Sequence, residues 1–153
     1  MEISIHELTD DHFVAWSKMR CQLGGDDETD CRAAHTIYMQ RRSENQAMNL
    51  IAVSETGSPL GFIESTLRTD YVEGMDTSQV WYVEGVYTEE SSRRQGVATD
   101  LVHDLAKRVG AAHLASGCEL TNEQSRLFHE SIGFREVSRN IHFAMHLDEQ
   151  QDV

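Results

Sequence analysis

The stretch "VWYVEGVYTEESSRRQGVATDLVHDLAKRVG", residues 80–110, constrains the chain more than any other. Residues 80–88 are β-branched and aromatic, which suits a pleated, half-buried strand. A polar turn and Gly96 follow. From there Val97, Ala98, Leu101, Val102, Leu105, Ala106 and Val109 fall on one stripe of a helix, while Asp100, Asp104, Lys107 and Arg108 lie mostly off it. A strand, a glycine turn and an amphipathic helix in succession need a sheet for the helix to cover.

The rest of the chain supplies that sheet. "EISIHEL" alternates and predicts a first strand. Thr9 and Asp10 can cap a helix over 10–23, with Phe13, Trp16 and Leu23 among its apolar positions. A second helix is expected over 29–43. "MNLIAVSE" and "LGFIESTLR" read as a hairpin around "TGSPLG". "GAAHLAS" reads as a short strand and "NEQSRLFHESIGF" as a helix stopping near Gly133. "REVSRNIHFAMHL" reads as a closing strand. The order β-α-α-β-β-β-α-β-α-β makes an α/β (α+β) chain with a mixed sheet and flanking helices. One domain is expected over 1–147, with a frayed tail at 148–153.

Composition narrows the partners. Asp and Glu number 26 against 13 Lys and Arg, a formal charge of -13. Such a field repels nucleic acid and anionic membrane and attracts cations; the alternative is that the acidity only keeps the protein soluble, and charge alone favours that alternative. No apolar run reaches membrane-spanning length, and the acidic N-terminus lacks a signal-peptide pattern. Cys21, Cys31 and Cys118 have no paired spacing and read as reduced thiols. A cytoplasmic location without a metal site is the expectation.

Within this acidic chain, "SSRRQGVATDLV" (91–102) stands out as basic. The first amides of a helix lack intrahelical acceptors and sit at the positive end of its dipole, so an anion can bind there. Gly96 permits close approach, Ala98 keeps the contact small, and Arg93 and Arg94 add charge. The alternative is a plain capped helix with two solvated arginines. The stretch is neither a "GxxxxGK" phosphate loop nor a "GxGxxG" dinucleotide turn. Glu84 is the other anomaly. A carboxylate inside an apolar strand needs a cleft, a partner or an exposed sheet face.

Arg93-x-x-Gly96-x-Ala98 after "VEGVYT", followed by Asn122 and "His129-Glu130-Ser131-Ile132-Gly133-Phe134", resembles the GNAT acyltransferase superfamily over nearly the whole chain. "DYVEGMDTS" before "VEG", and "LAS" leading to Asn122, Ser125, His129 and "GF", are similar to its aminoglycoside 6'-N-acetyltransferase branch. The resemblance implies acetyl-CoA as co-substrate and direct acetyl transfer to an aminoglycoside amine, giving antibiotic resistance. It places the pyrophosphate on the amides around Arg93, Arg94, Gln95, Gly96, Val97 and Ala98. It places the pantetheine arm beside Val86 and Tyr87, with Asn122 and Ser125 bordering it.

The same likeness puts Glu84 at the acceptor amine, as an anchor or as a base acting directly or through water. It puts His129 where many relatives use a tyrosine for the leaving thiolate; the alternative there is a packed helix histidine. Tyr71 and Glu84 match substrate contacts. Asp70, Glu73 and Asp76 make the neighbouring loop anionic, and Asp26, Asp27, Glu28 and Asp30 are candidates for the opposite wall. Two positions depart from the branch. Gly117 stands where an Asp is usual, with Glu119 a candidate to compensate, and Gly24 stands where the first helix usually ends in Trp. Both bear on the acceptor. An acetyltransferase for a polyamine or peptide amine, and a binding protein without chemistry, are the competing readings. A homodimer through the C-terminal strand is also expected.

Overall fold

The computed structural model describes residues 2–70, 72, 74, 75, 79–118 and 120–147. They fall into two compact units, one of residues 1–117 and one of residues 118–153.

In the first unit β1 (Ile3–Glu7), β2 (Ala47–Ser54), β3 (Pro59–Arg68), β4 (Val80–Thr88) and β5 (Leu114–Ser116) form one sheet in that order. β1 to β4 pair antiparallel, and β5 joins β4 in parallel. Between β1 and β2 come a 3-10 turn (Asp10–His12), α1 (Phe13–Gly24) and α2 (Glu28–Ser43). A second 3-10 turn (Glu90–Ser92) and α3 (Val97–Val109) make the crossover from β4 to β5.

Alternation along the strands sends side chains to two cores. Ile51, Phe62 and Tyr87 pack with Trp16, Met19, Cys31 and Tyr38 under α1 and α2. On the other face α3 buries Val97, Leu101, Val102 and Leu105. Gly61 belongs to that second face. A Cβ there would run into the Tyr87 carbonyl oxygen and lie 3.2 Å from both Thr88 Cα and Val97 Cγ1. Leu23, expected on the apolar side of α1, is 47% exposed; it sits in the last turn before Gly25 ends the helix in a left-handed conformation.

In the second unit α4 (Glu123–Ser131) starts at Asn122, whose Oδ1 accepts from the Ser125 amide at 3.0 Å. The strand expected over 135–147 is not formed: residues 134–147 carry no helix or strand. Its apolar residues stand out instead, with Ile141, Phe143, Met145 and Leu147 all at least 74% exposed. A strand needs a neighbour to pair with, and among the described residues this stretch has no ladder partner.

Candidate active site

β4 is bent by one extra residue. Glu64 pairs with Gly85, yet Ser65 pairs with Val83, which leaves Glu84 without an opposite number. A bulge of this kind shifts side-chain parity along the strand. Tyr82 and Glu84 therefore share a face with Tyr87, where regular alternation would have put Val86. That face continues across β3 as Phe62, Glu64, Thr66 and Arg68, from the apolar core to an open cleft.

The cleft is a cavity of about 420 Å³ lined by Arg41, Thr66, Leu67, Arg68, Thr69, Asp70 and Glu84. A second cavity, of about 220 Å³, is lined by Trp16, Tyr38 and Glu64 among others, and Arg41, Thr66 and Glu84 border both. The sequence-predicted Glu84 and Asp70 thus come together. Both oxygens of Glu84 are engaged. Thr66 Oγ1 donates to Oε2 at 2.6 Å, and Arg68 Nη2 donates to Oε1 at 3.0 Å. Arg68 Nε adds a bond to Oε2 at 3.2 Å. The Arg68 guanidinium lies 3.5 Å from the centre of the Tyr82 ring.

Glu64, Arg68, Arg41 and Tyr82 are site residues that sequence reasoning missed. Glu64 is more deeply placed than Glu84. Arg20 Nη1 donates to both of its oxygens at 2.7 Å, and buried Trp16 donates Nε1–H to Oε2 at 2.9 Å. Arg20 also pairs with Asp26 at 2.9 Å. Burial raises the Glu64 carboxyl above its ordinary range, and Arg20 only partly offsets it. The argument applied to Glu84, a carboxylate within an apolar strand, applies equally to Glu64 in "GFIES".

The expected acidic wall is otherwise occupied. Asp26 serves Arg20, and Asp27 caps α2, accepting from the Asp30 amide at 2.8 Å while Asp30 returns a bond to the Asp27 amide. Glu28 pairs with Arg32 at 2.8 Å. Among the described residues the larger cavity therefore carries two cations, Arg41 and Arg68, against two anions, Asp70 and Glu84. Tyr71, Glu73, Asp76 and Glu119 lie outside the described residues.

The two glycine departures have different surroundings. Gly24 is exposed, and a Cβ there would meet nothing within 4 Å. At Gly117 a Cβ would lie 2.7 Å from Tyr82 Oη. The Tyr82 hydroxyl fills the space that a side chain at 117 would need.

At the far end of β4 the parallel ladder to β5 stops at Val83–Ser116. From Glu84 to Thr88, including Val86 and Tyr87, β4 has no ladder on that side among the described residues. The Tyr87 side chain is core: it packs tilted against Phe62, 5.9 Å between ring centres, and donates its hydroxyl to Gln22. β4 leads into the start of α3. Arg94 and Gly96 both adopt left-handed conformations, at φ 64° and 83°. No side chain caps α3, and a Cβ at Gly96 would meet nothing within 4 Å. The first-turn amides of α3 therefore have no side-chain cap, and an anion could take its place. Arg93 turns back to donate Nε–H to the Thr88 carbonyl at 3.2 Å, and Gln95 reaches the Ser91 carbonyl at 3.4 Å.

In the second unit Asn122 and Ser125 share the cap of α4, and His129 lies one turn further on. His129 Nδ1 lies 2.7 Å from the Ser125 carbonyl, so that nitrogen carries the proton. The ring packs edge-on against Phe134 at 5.1 Å between centres. Among the described residues no cluster of His, Cys, Asp or Glu could hold a metal ion.

A parallel pair whose ladder ends at Val83–Ser116, a glycine-led helix after the bulged strand, and a carboxylate on the bulge agree with an acyltransferase architecture. The chain belongs to the acetyltransferase (GNAT) family, whose profile matches residues 5–134. Its relatives narrow the class. It is 32% identical to the aminoglycoside N(6')-acetyltransferase type 1 of Acinetobacter genomosp. 13, over 95% of this chain and 99% of that one. It is 40% identical to that of Serratia marcescens, over 71% of this chain and 68% of the other. Among solved structures, AAC(6')-Iy in complex with the bisubstrate analogue CoA-S-monomethyl-acetylneamine superposes with a TM-score of 0.86 at 27% identity, covering 96% of this chain and all of that one. AAC(6')-IG from Acinetobacter haemolyticus gives 0.80 at 32%, covering 95% and 99%.

Proposed function

We propose that this chain is an acetyl-CoA-dependent aminoglycoside 6'-N-acetyltransferase acting in antibiotic resistance. One observation carries the reading beyond family membership: a single strand, β4, holds Glu84 on a bulge facing the open cavity and then continues, without a ladder on the β5 side among the described residues, toward the uncapped start of α3. Determinants for a cationic acceptor and an anionic donor thus sit on one rigid element.

Acetyl-CoA supplies an activated thioester carbonyl. The amides from Arg94 to Ala98 hold its pyrophosphate, with Arg93 and Arg94 adding charge. The unpaired edge of β4 at Val86 and Tyr87 aligns the pantetheine arm, and the Val86 amide polarises the carbonyl oxygen. Asn122 and Ser125 keep the cofactor role that the family resemblance implies. Glu84 binds the acceptor ammonium and takes a proton from it, directly or through water, so that the neutral nitrogen attacks. His129, whose Nδ1–H is held by the Ser125 carbonyl, keeps the leaving-thiolate role that the family resemblance implies. Asp70, Tyr71, Glu73, Asp76 and Glu119 receive the remaining ammonium groups of the polycation. Asp26 and Asp27 contribute field rather than contact, because their carboxylates are already bonded.

A thiol-release assay with kanamycin-type and gentamicin-type acceptors tests the reading, with mass and NMR of the product fixing the acetylated position. Turnover at the 6'-amine is expected, and Glu84→Gln should raise the acceptor KM by about tenfold or more. Turnover of a polyamine or peptide amine with none on any aminoglycoside would overturn it.

Residues 1–147 form one acetyltransferase domain in this reading, consistent with a family match that runs through both compact units. The protein works in the cytoplasm, where Cys21, Cys31 and Cys118 stay reduced. It is a homodimer in which 135–147 pair with a second copy, covering Ile141, Phe143, Met145 and Leu147. Light scattering after size exclusion should give a dimer for the native chain and a monomer for Phe143→Glu; a native monomer would refute it.

A further inference from the structure

The cation already seated on Glu84 is the most informative feature of the cleft. Arg68 places Nη2 3.0 Å from Oε1 and Nε 3.2 Å from Oε2, while Thr66 completes the set from the other side at 2.6 Å. These are the contacts an ammonium group would make. The guanidinium is not buried by them, since its side chain keeps 39% of its surface exposed. It rests on the face of Tyr82 at 3.5 Å from the ring centre. Tyr82 in turn is backed by the side-chain-free backbone of Gly117, 2.7 Å from where a Cβ would stand. Among the described residues, the charged groups around Arg68 in the cavity are Arg41, Asp70 and Glu84.

We propose that Arg68 is a specificity-determining residue that occupies the ammonium subsite and must be exchanged for the acceptor amine. On binding, the ammonium takes over the contacts of Arg68 with Glu84 and shares Thr66. The guanidinium stays on Tyr82, where cation–π attraction holds it, and turns toward Asp70. An acceptor with several ammonium groups gains contacts elsewhere in the cleft and drives the exchange. An acceptor with one amine has no such surplus and is rejected. The exchange is small because an exposed ion pair contributes little in water. Gly117 is part of the device, because a side chain there would push Tyr82 from under the guanidinium.

The inference rests on Glu84 being the ammonium anchor, so the test separates the two ideas. Steady-state kinetics are compared for the native enzyme, Arg68→Ala, Arg68→Lys and Glu84→Gln. The acceptors are an aminoglycoside and a simple alkyl monoamine, and the KM for acetyl-CoA checks that each variant is folded. Arg68→Ala should lower the acceptor KM by about three- to tenfold, most for the monoamine, with Arg68→Lys in between. Guanidinium chloride, against sodium chloride at equal ionic strength, should inhibit Arg68→Ala competitively with the acceptor and leave the native enzyme unaffected. An unchanged or raised KM in Arg68→Ala, or restoration of its activity by guanidinium, would overturn the proposal and make Arg68 a positioning residue for Glu84. If Glu84→Gln leaves the acceptor KM unchanged, the anchor reading itself fails. If it raises KM while Arg68→Ala does not lower it, only the Arg68 exchange fails.

Discussion

Glu64 offers a direct test of how charge is held beside the cleft. Glu64→Ala removes the acceptor for the Trp16 indole N–H, and Trp16 is only 2% exposed. Stranding a buried donor costs about 1–3 kcal/mol. Arg20 loses Glu64 but keeps Asp26 at 2.9 Å and is 26% exposed, so its share is smaller. The total should be about 3 kcal/mol, at the low end for a broken buried pair. Glu64→Gln differs, because it keeps an oxygen for Trp16 and discards a charge that burial disfavours. It should fall within about 1 kcal/mol of the native protein at pH 7. The pH dependence follows in sign. The folded-state carboxyl sits above its ordinary value of 4.5, so between the two the folded state binds more protons than the unfolded state. Native stability relative to Glu64→Gln is therefore greatest below 4.5 and declines as pH rises through the folded value. Urea unfolding of the three proteins across that range, with equal m-values as a control, measures each quantity. If Gln is as damaging as Ala at pH 7, or if the native protein gains on Gln as pH rises, then Arg20 outweighs burial and the reasoning fails.

Two further outcomes follow. Gly117→Ala should cost about 1–3 kcal/mol in the native background but much less beside Tyr82→Phe, which removes the obstructing hydroxyl; equal penalties in a denaturant double-mutant cycle would refute the link. Asp27→Ala should lower stability by about 1 kcal/mol through loss of the α2 cap, with the acceptor KM unchanged; a raised KM without destabilisation would return Asp27 to the acceptor wall.

Much of the fold was legible because its signals are local. The stripe from Val97 to Val109 and the β-branched run of 80–88 specify their elements without reference to the rest of the chain. Gly96 was legible as a glycine turn before a helix, while its left-handed conformation came only with the structure. The bulge at Glu84 was not, because it exists only in the register between β3 and β4. Arg68 was invisible as a site residue for a related reason: only strand pairing brings position 68 beside position 84. The stretch 135–147 alternates as a strand should, but alternation cannot name its neighbour. Asp26 and Asp27 were assigned by charge to a substrate wall, whereas short-range bonds to Arg20 and to the Asp30 amide engage them.

The acidity and the site therefore act at different ranges. A formal charge of -13 suggests an anionic cleft, yet the described lining of the larger cavity balances two arginines against two carboxylates. Arginines are engaged by acids of the same chain, Arg20 by Asp26 and Glu64, Arg68 by Glu84. The unpaired acid excess lies elsewhere, and its field extends about 8 Å at physiological ionic strength. Such a field concentrates any polycation near the surface and raises encounter rates, but it cannot tell one amine from another. Discrimination has to come from contacts at Glu84 that depend on what the amine is attached to, and those contacts start with Arg68 in place. Salt should accordingly slow acceptor association for all cations alike, while the preference among them stays with the exchange at Glu84.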